Sequence, residues 1–253
     1  KSHETLESVR AKMGERLQIM RLSVQDGCSP ELRSASGRVG GQAAKMVRAE
    51  QMGRFCVVSK ACAYAMAVAE SNACMGKIVA APTAGSCGIL PGALLAVQEE
   101  EHFSEDELIS ALFAAAGIGR VIALEATISG AEGGCQAECG AAAAMAAAAL
   151  TQLYGGTPKQ TCDACSFALM NMLGLVCDPV CGLVEIPCVY RNVGGVSQAF
   201  AAAQLALSGV SCPIPGDEVI LTMKDVGDAL PASLRETGEG GCAGCRSMQI
   251  KNP

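Results

Sequence analysis

Between residues 4 and 26, apolar side chains recur every three or four positions: Leu6, Val9, Met13, Leu17, Met20 and Val24, with polar residues between them. This spacing predicts an amphipathic helix that stops at Gly27. Residues 27–41 are rich in Gly and Ser and read as a loop. Over residues 42–75 small side chains occupy most faces, the pattern of one long, largely buried helix. A shorter helix is expected over residues 92–102. Ser104-Glu-Asp-Glu107 then fits a capping box, opening a helix that runs towards Gly117. The alanine-rich stretch 140–150 predicts another. Thr157-Pro158 is a start signal for a helix ending near Gly174. Two more helices are expected over residues 196–207 and 218–230.

Between these helices lie segments that cannot be regular. Residues 76–92 hold Pro82, Pro91 and four glycines in an otherwise apolar run. Backbone groups buried in such a loop need partners, and a ligand is a common one. Residues 129–136 form a second glycine-rich loop. Residues 177–192 are interrupted by Pro179 and Pro187 and carry three cysteines. Residues 213–217 read as a turn, and a flexible tail is expected from about residue 237. With no disordered linker and no internal repeat, one domain over residues 1–253 is the simplest organisation. The expected fold class is all-α, a single helical domain whose Gly/Pro-rich loops meet at helix ends to make the active site.

Composition supports helices. Hydrophobic residues make up 50% of the 253, yet aromatic residues are only 3% and Trp is absent. Such a core must be built from close approaches of small side chains, and alanine favours helix over strand. A charged fraction of 17% with a mean hydropathy of +0.31 excludes a disordered chain. The net charge of −6 argues against a nucleic-acid surface. No apolar run reads as long enough to span a bilayer, and the polar first residues do not form a signal peptide. The chain starts at Lys1 rather than Met, as a trimmed parent would.

The fifteen cysteines are odd in number, and the chain is long for a disulfide scaffold, so reduced thiols in the cytoplasm are expected. Cys56, Cys62, Cys74, Cys139, Cys162 and Cys165 lie in helical, alanine-rich sequence and read as small buried hydrophobes. Cys162-x-x-Cys165 and Cys242-x-x-Cys245 could be zinc or redox pairs, but a zinc site needs about four ligands and histidine cannot help, since only His3 and His102 exist. Cys135, Cys177 and Cys188 differ, since each sits in or beside a broken loop. Three thiolates on separate loops can hold three irons of a [4Fe–4S] cluster and leave the fourth open; spacing alone does not establish this.

Five segments stand in an order that matches a known family: Asn72-Ala-Cys-Met-Gly76, Ala81-Pro-Thr-Ala-Gly-Ser86, Gly133-Gly-Cys-Gln-Ala-Glu138, Gly174-Leu-Val-Cys-Asp-Pro179 and Val184-Glu-Ile-Pro-Cys-Val-Tyr-Arg-Asn192. The chain resembles the iron–sulfur L-serine dehydratases, in particular the α subunit of the two-subunit bacterial form, from about Glu4 to Gly241. The resemblance implies that Cys135, Cys177 and Cys188 hold a [4Fe–4S] cluster. It implies that Asn72 and the loop Thr83, Ala84, Gly85 and Ser86 surround the substrate. Arg191 and Asn192 follow the third cysteine and are expected to help with the substrate carboxylate, although a structural salt bridge is an equal reading of Arg191. Cys74, Cys87, Cys139 and Cys181 fall where relatives carry small apolar residues, which favours a filling role.

The resemblance further implies a cytoplasmic lyase that converts L-serine to pyruvate and ammonia without pyridoxal phosphate. Its partners would be L-serine and a serine dehydratase β subunit, because the Ser-Ser-His-Thr-like stretch of the family's β portion is missing here. A higher oligomer is expected, with no nucleic acid and no membrane. The catalytic base is not identified; a cysteine thiolate, Lys77 and a β-subunit group all remain open. Rival readings are another cluster-dependent lyase, such as an L-cysteine desulfidase, and a non-catalytic zinc- or cluster-binding module.

Overall fold

The computed structural model describes residues 4–51 and 56–249. The helices are α1 (Leu6–Gly27), α2 (Gln42–Gln51), α3 (Val57–Ala73), α4 (Ile89–Glu101), α5 (Glu105–Glu125), the single turn α6 (Gly130–Gly133), α7 (Ala141–Leu153), α8 (Pro158–Met170), α9 (Cys188–Leu207), α10 (Gly216–Ala229) and a terminal turn α11 (Arg246–Gln249). A π-helical turn, Gln136–Gly140, leads into α7. Among the described residues no strand forms, and one isolated bridge joins Cys177 to Arg235. The fold is all-α, as expected.

The centre of the bundle is α7. Every residue of Ala141–Leu153 except Gln152 is buried, and α4, α5, α8 and α9 pack around it. Alanine allows this because a methyl group holds neighbouring axes close and fills the space between them without voids. Where even a methyl is too large, glycine takes over. A Cβ on Gly119 of α5 would lie 2.8 Å from Met145 Sδ of α7, and one on Gly27 would strike the Ala67 carbonyl of α3. On the other flank α3 packs against α1, α2, α4 and α9. Its buried Glu70 accepts from the backbone N–H groups of Gly40, Gln42 and Ala43 at 2.9–3.1 Å. That carboxylate takes up donors left free at the start of α2 and fixes the loop before it.

Several boundaries differ from the sequence reading. The helix expected over residues 42–75 is described as α2 and α3, and residues 52–55 between them lie outside the described residues. The capping box at Ser104 forms, but α5 does not end at Gly117; it continues to Glu125 because Gly119 is a packing position, not a stop. The helix start expected at Thr157-Pro158 forms, with a capping box between Thr157 and Gln160 in addition, and α8 ends at Met170 rather than near Gly174. The last long core helix begins at Cys188, eight residues before the expected Val196, because Gly195 packs on Ile89 inside it. Contrary to the sequence reading, α5 is long and apolar enough to cross a membrane by length and composition. Its buried stripe, which includes Leu108, Ile109, Leu112, Ala115, Gly119 and Ile122, belongs to the core and serves packing, while Val121 and Leu124 are exposed.

Candidate active site

Four irregular segments meet at one end of the bundle. The first, residues 76–88, passes from α3 to α4. Asn72 at the end of α3 donates through Nδ2 to the Ala84 carbonyl at 3.2 Å. From the opposite side Asn192 of α9, fully buried, donates to the carbonyls of Gly85 (2.8 Å) and Cys188 (2.9 Å) and accepts from the Gly88 N–H (2.8 Å). One amide thus ties the loop Thr83–Ser86 to the turn that carries Cys188. Asn192 holds this loop from beneath, and its amide is engaged with backbone.

The second segment, residues 129–140, presents Cys135 just before the π-helical turn. Gln136 anchors it: its N–H donates to Leu175 O, its Oε1 accepts from Gly174 N–H, and its Nε2 donates to Met223 O. In the third, residues 174–187, Cys177 is held through its own backbone, which donates to Leu234 O and accepts from Glu236 N–H. The following Asp178 pairs with Arg191 at 2.7 Å and accepts from Cys242 N–H at 2.6 Å. Arg191 also donates to Val176 O at 2.7 Å. The guanidinium is therefore the clamp that fixes Cys177 between its neighbours, the salt-bridge reading of this residue. The fourth segment is the tail, which reaches Asp178 through Cys242 and the neighbouring Gly241.

All fifteen cysteines are free thiols. Cys135, Cys177 and Cys188 are all buried, at 2%, 3% and 8% exposure, and each lies within electrostatic reach of the others. Burial, with Cys135 and Glu138 nearby, pushes the Cys188 thiol up to about 12. Burial and the same two neighbours also push Cys177 up. Cys135 moves the other way. A hydrogen bond with Cys139, Sγ to Sγ 3.4 Å, and the Arg191 guanidinium hold it below the ordinary thiol value despite its burial. Three soft donors on three chain segments, unpaired and backed by an arginine, fit an iron–sulfur cluster. Among the described residues, no three His, Cys, Asp or Glu side chains are set to hold a single metal ion.

The structure adds residues that the sequence reading passed over. Glu138 lies between the cysteines and the Thr83–Ser86 loop: Thr83 Oγ1 donates to its Oε1 at 2.7 Å, and its Oε2 is 4.0 Å from Cys177 Sγ. Burial raises its pKa, against the opposing effect of the Thr83 hydroxyl. Cys139, expected to be a filler, touches Cys135. Two signals were available: Cys135 and Cys139 are four apart, and Glu138 is the one charged residue between Glu132 and Lys159.

Other cysteines depart from the filling role. Cys56, Cys162 and Cys181 are exposed and Cys74 is partly so, whereas Cys62, Cys87, Cys139 and Cys165 are buried as expected. Exposure follows from position: Cys56 precedes α3, Cys162 is near the start of α8, and Cys181 sits at a left-handed bend with φ 57°. Cys162 and Cys165 differ in environment, the latter buried against Ala144 O.

Comparison with known proteins agrees with the order of these segments. The family model for the serine dehydratase alpha chain matches residues 1–243. The chain is 45% identical to the L-serine dehydratase alpha chain of Peptoniphilus asaccharolyticus, over 98% of this chain and 86% of that one. It is 46% identical to the probable L-serine dehydratase alpha chain of Bacillus subtilis, over 96% and 81%. L-serine dehydratase 1 of Escherichia coli is 46% identical over 71% of this chain and 40% of its own length. The chain therefore belongs to the serine dehydratase alpha chain family.

Proposed function

We propose that this chain is the α subunit of a cytoplasmic L-serine dehydratase that converts L-serine to pyruvate and ammonia. The observation that carries the reading is the meeting of three buried, unpaired thiols with an anchored Thr83–Ser86 loop. Cys135, Cys177 and Cys188 would hold a [4Fe–4S] cluster. When bound, that cluster supplies an iron that acts as a Lewis acid towards the departing hydroxyl. Fifteen free thiols suit a reducing compartment.

The chain's own residues bind and orient. The loop Thr83–Ser86 offers backbone N–H groups, donors suited to the substrate carboxylate. Asn72 and Asn192 hold that loop by its carbonyls, so its shape is set before substrate arrives and little ordering cost remains at binding. Arg191, through Val176 O and Asp178, keeps Cys177 in register with the other two thiols. Its commitment to those partners favours this positioning role over contact with the substrate carboxylate. The relatives' names speak of an alpha chain, and a β subunit is the partner this reading requires to close the site against water.

Anaerobic reconstitution with iron and sulfide tests the proposal. The wild-type chain should bind about four irons and four sulfides per chain and, with its β partner, form pyruvate from L-serine. Cys135→Ala, Cys177→Ala and Cys188→Ala should each abolish the cluster's absorbance, and Cys162→Ala should not. Zinc in place of iron, equal loss in all four variants, or turnover of L-cysteine with release of sulfide and none of L-serine would overturn it.

A further inference from the structure

Glu138 is a carboxylate without a cation. It is partly buried, and among the described residues no Lys or Arg lies within ion-pair distance of it. Arg191, the nearest guanidinium to act on it, is engaged with Asp178, the Val176 carbonyl and Cys135. Cys177 beside it and Glu236 beyond add charge of the same sign once ionised. A carboxylate removed from water and left unpaired is costly. Yet the surrounding loops are shaped to leave it room. A Cβ on Gly85 would lie 3.2 Å from Oε1, and one on Gly130 would lie 2.6 Å from Oε2.

The hydroxyl beside it adds direction. Thr83 donates its only hydrogen to Glu138 Oε1, so its oxygen can act towards any other partner only as an acceptor. Ser86 Oγ, 3.2 Å away, can donate to it. The unit therefore offers acceptors and negative charge, on the side of the loop facing Cys177. An α-carboxylate would be repelled there. A primary ammonium, with three donors and one positive charge, is its complement.

Resting on the reading of this site as an amino-acid lyase, we propose that Glu138 and Thr83 form the subsite for the substrate's α-ammonium group. The pair selects amino acids over the corresponding hydroxy acids, and leaves the carboxylate to the loop's backbone N–H groups.

The test uses the cluster-loaded complex with its β partner, and two ligands that differ only at the α position. L-Serine carries the ammonium; L-glycerate carries a hydroxyl in its place. In Glu138→Gln the KM for L-serine should rise about 10- to 100-fold, the range expected for loss of a charged hydrogen bond. The inhibition constant of L-glycerate should stay within about threefold, because no ammonium is lost from its complex. Iron content and cluster absorbance should match the wild type. An unchanged KM for L-serine overturns the proposal, as does an equal rise for both ligands, the mark of a merely structural role. A fall in kcat at unchanged KM would instead make Glu138 a proton acceptor, and also overturns it. If Glu138→Gln fails to hold iron, Thr83→Val decides: it keeps the carboxylate and must weaken L-serine about tenfold while sparing L-glycerate. A wild-type complex without serine turnover would sink the functional reading itself, before any variant is compared.

Discussion

The alanine-packed centre of the bundle and the loops at its end use the same small residues, but what holds them differs. In α7 nothing but close contact is needed: its alanines are buried on all sides, and its polar Thr151 bonds back to Ala147 O within the helix. At the site the backbone is irregular, and each exposed donor or acceptor must be met individually by Asn72, Asn192, Gln136, Asp178 or Arg191. The centre is fixed by volume, and the site by a few named polar contacts. Damage to the first should therefore cost stability, and damage to the second should cost the ligand-binding geometry beyond its cost in stability.

The sharpest way to break this comparison lies where the two regions touch. Gly88, at the start of α4, faces the Ala65 carbonyl: an added Cβ would lie 2.1 Å from that oxygen and 3.0 Å from Asn192 Oδ1. Backbone cannot give way as a side chain can. Gly88→Ala should destabilise the chain by about 4 kcal/mol or more, at the extreme of single substitutions. Urea unfolding measures it, and a midpoint near the wild-type value would show that α3 and α4 can slide apart.

Asn192→Ala should come next. It strands the Gly88 N–H and the Gly85 carbonyl in a buried place and removes the side-chain tie to the Cys188 carbonyl, at about 3 kcal/mol in all. Its effect on iron retention should exceed what that loss of stability explains, because the Cys188 turn and the Thr83–Ser86 loop are released together. Bound iron after gel filtration, compared with a core variant of equal stability, is the measurement. Equal retention in the two would mean that the loops hold their shape without the amide.

A suitable core variant is Ala146→Leu. Ala146 is fully buried at the middle of α7, and three extra carbons must displace neighbours at a cost of about 2 kcal/mol. Since no polar contact of the site is touched, the cluster should load as in wild type below the melting temperature. Loss of iron at full folding would show that volume in the core also sets the site.

The same division decided what the sequence could reveal. The helices of the centre were legible because alanine and the spacing of Leu6 to Val24 report helix directly. Their ends were not: a stop was expected at Gly117 and a start after Gly195, whereas Gly119 packs on Met145 and Gly195 on Ile89 inside continuous helices. The three cysteines stood out as thiols in broken loops. Glu138 and Cys139 were passed over: both lie in a continuous run of small residues, where the lone charge of Glu138 and the spacing of four from Cys135 were the only local signs of a site. Only the π-helical turn, formed once Gln136 is anchored to Gly174 and Met223, brings Glu138 to Thr83. Arg191 was visible as a residue of two readings, and the structure adds its pairing with Asp178. Contacts between segments far apart in the chain carry no local signature.

The smallest effects belong to the two capping boxes, which lie in neither region; the one at Ser104 was read from the sequence, and the one at Thr157 only as a helix start. Thr157 accepts from the Gln160 N–H at 3.3 Å, and the Gln160 side chain accepts from the Thr157 N–H at 2.9 Å. Thr157→Ala should cost about 1 kcal/mol, roughly 2–4 °C in Tm for a chain of this size, with no loss of iron. The box at Ser104 should differ in one respect, because its reciprocal partner is a carboxylate. Hydrogen bonds from the Ser104 hydroxyl and N–H hold Glu107 below the ordinary glutamate value. A folded-state pKa below the unfolded one means that the stabilisation is complete above the unfolded value, near 4.3. It is then lost as pH falls through the lowered folded value. Melting curves of wild type and Glu107→Gln between pH 7 and pH 3 should therefore converge towards the acid end, while wild type and Thr157→Ala keep a constant gap. A Glu107→Gln gap that stayed constant down to pH 3 would mean that the cap acts through hydrogen bonding alone and that the charge at the start of α5 contributes nothing.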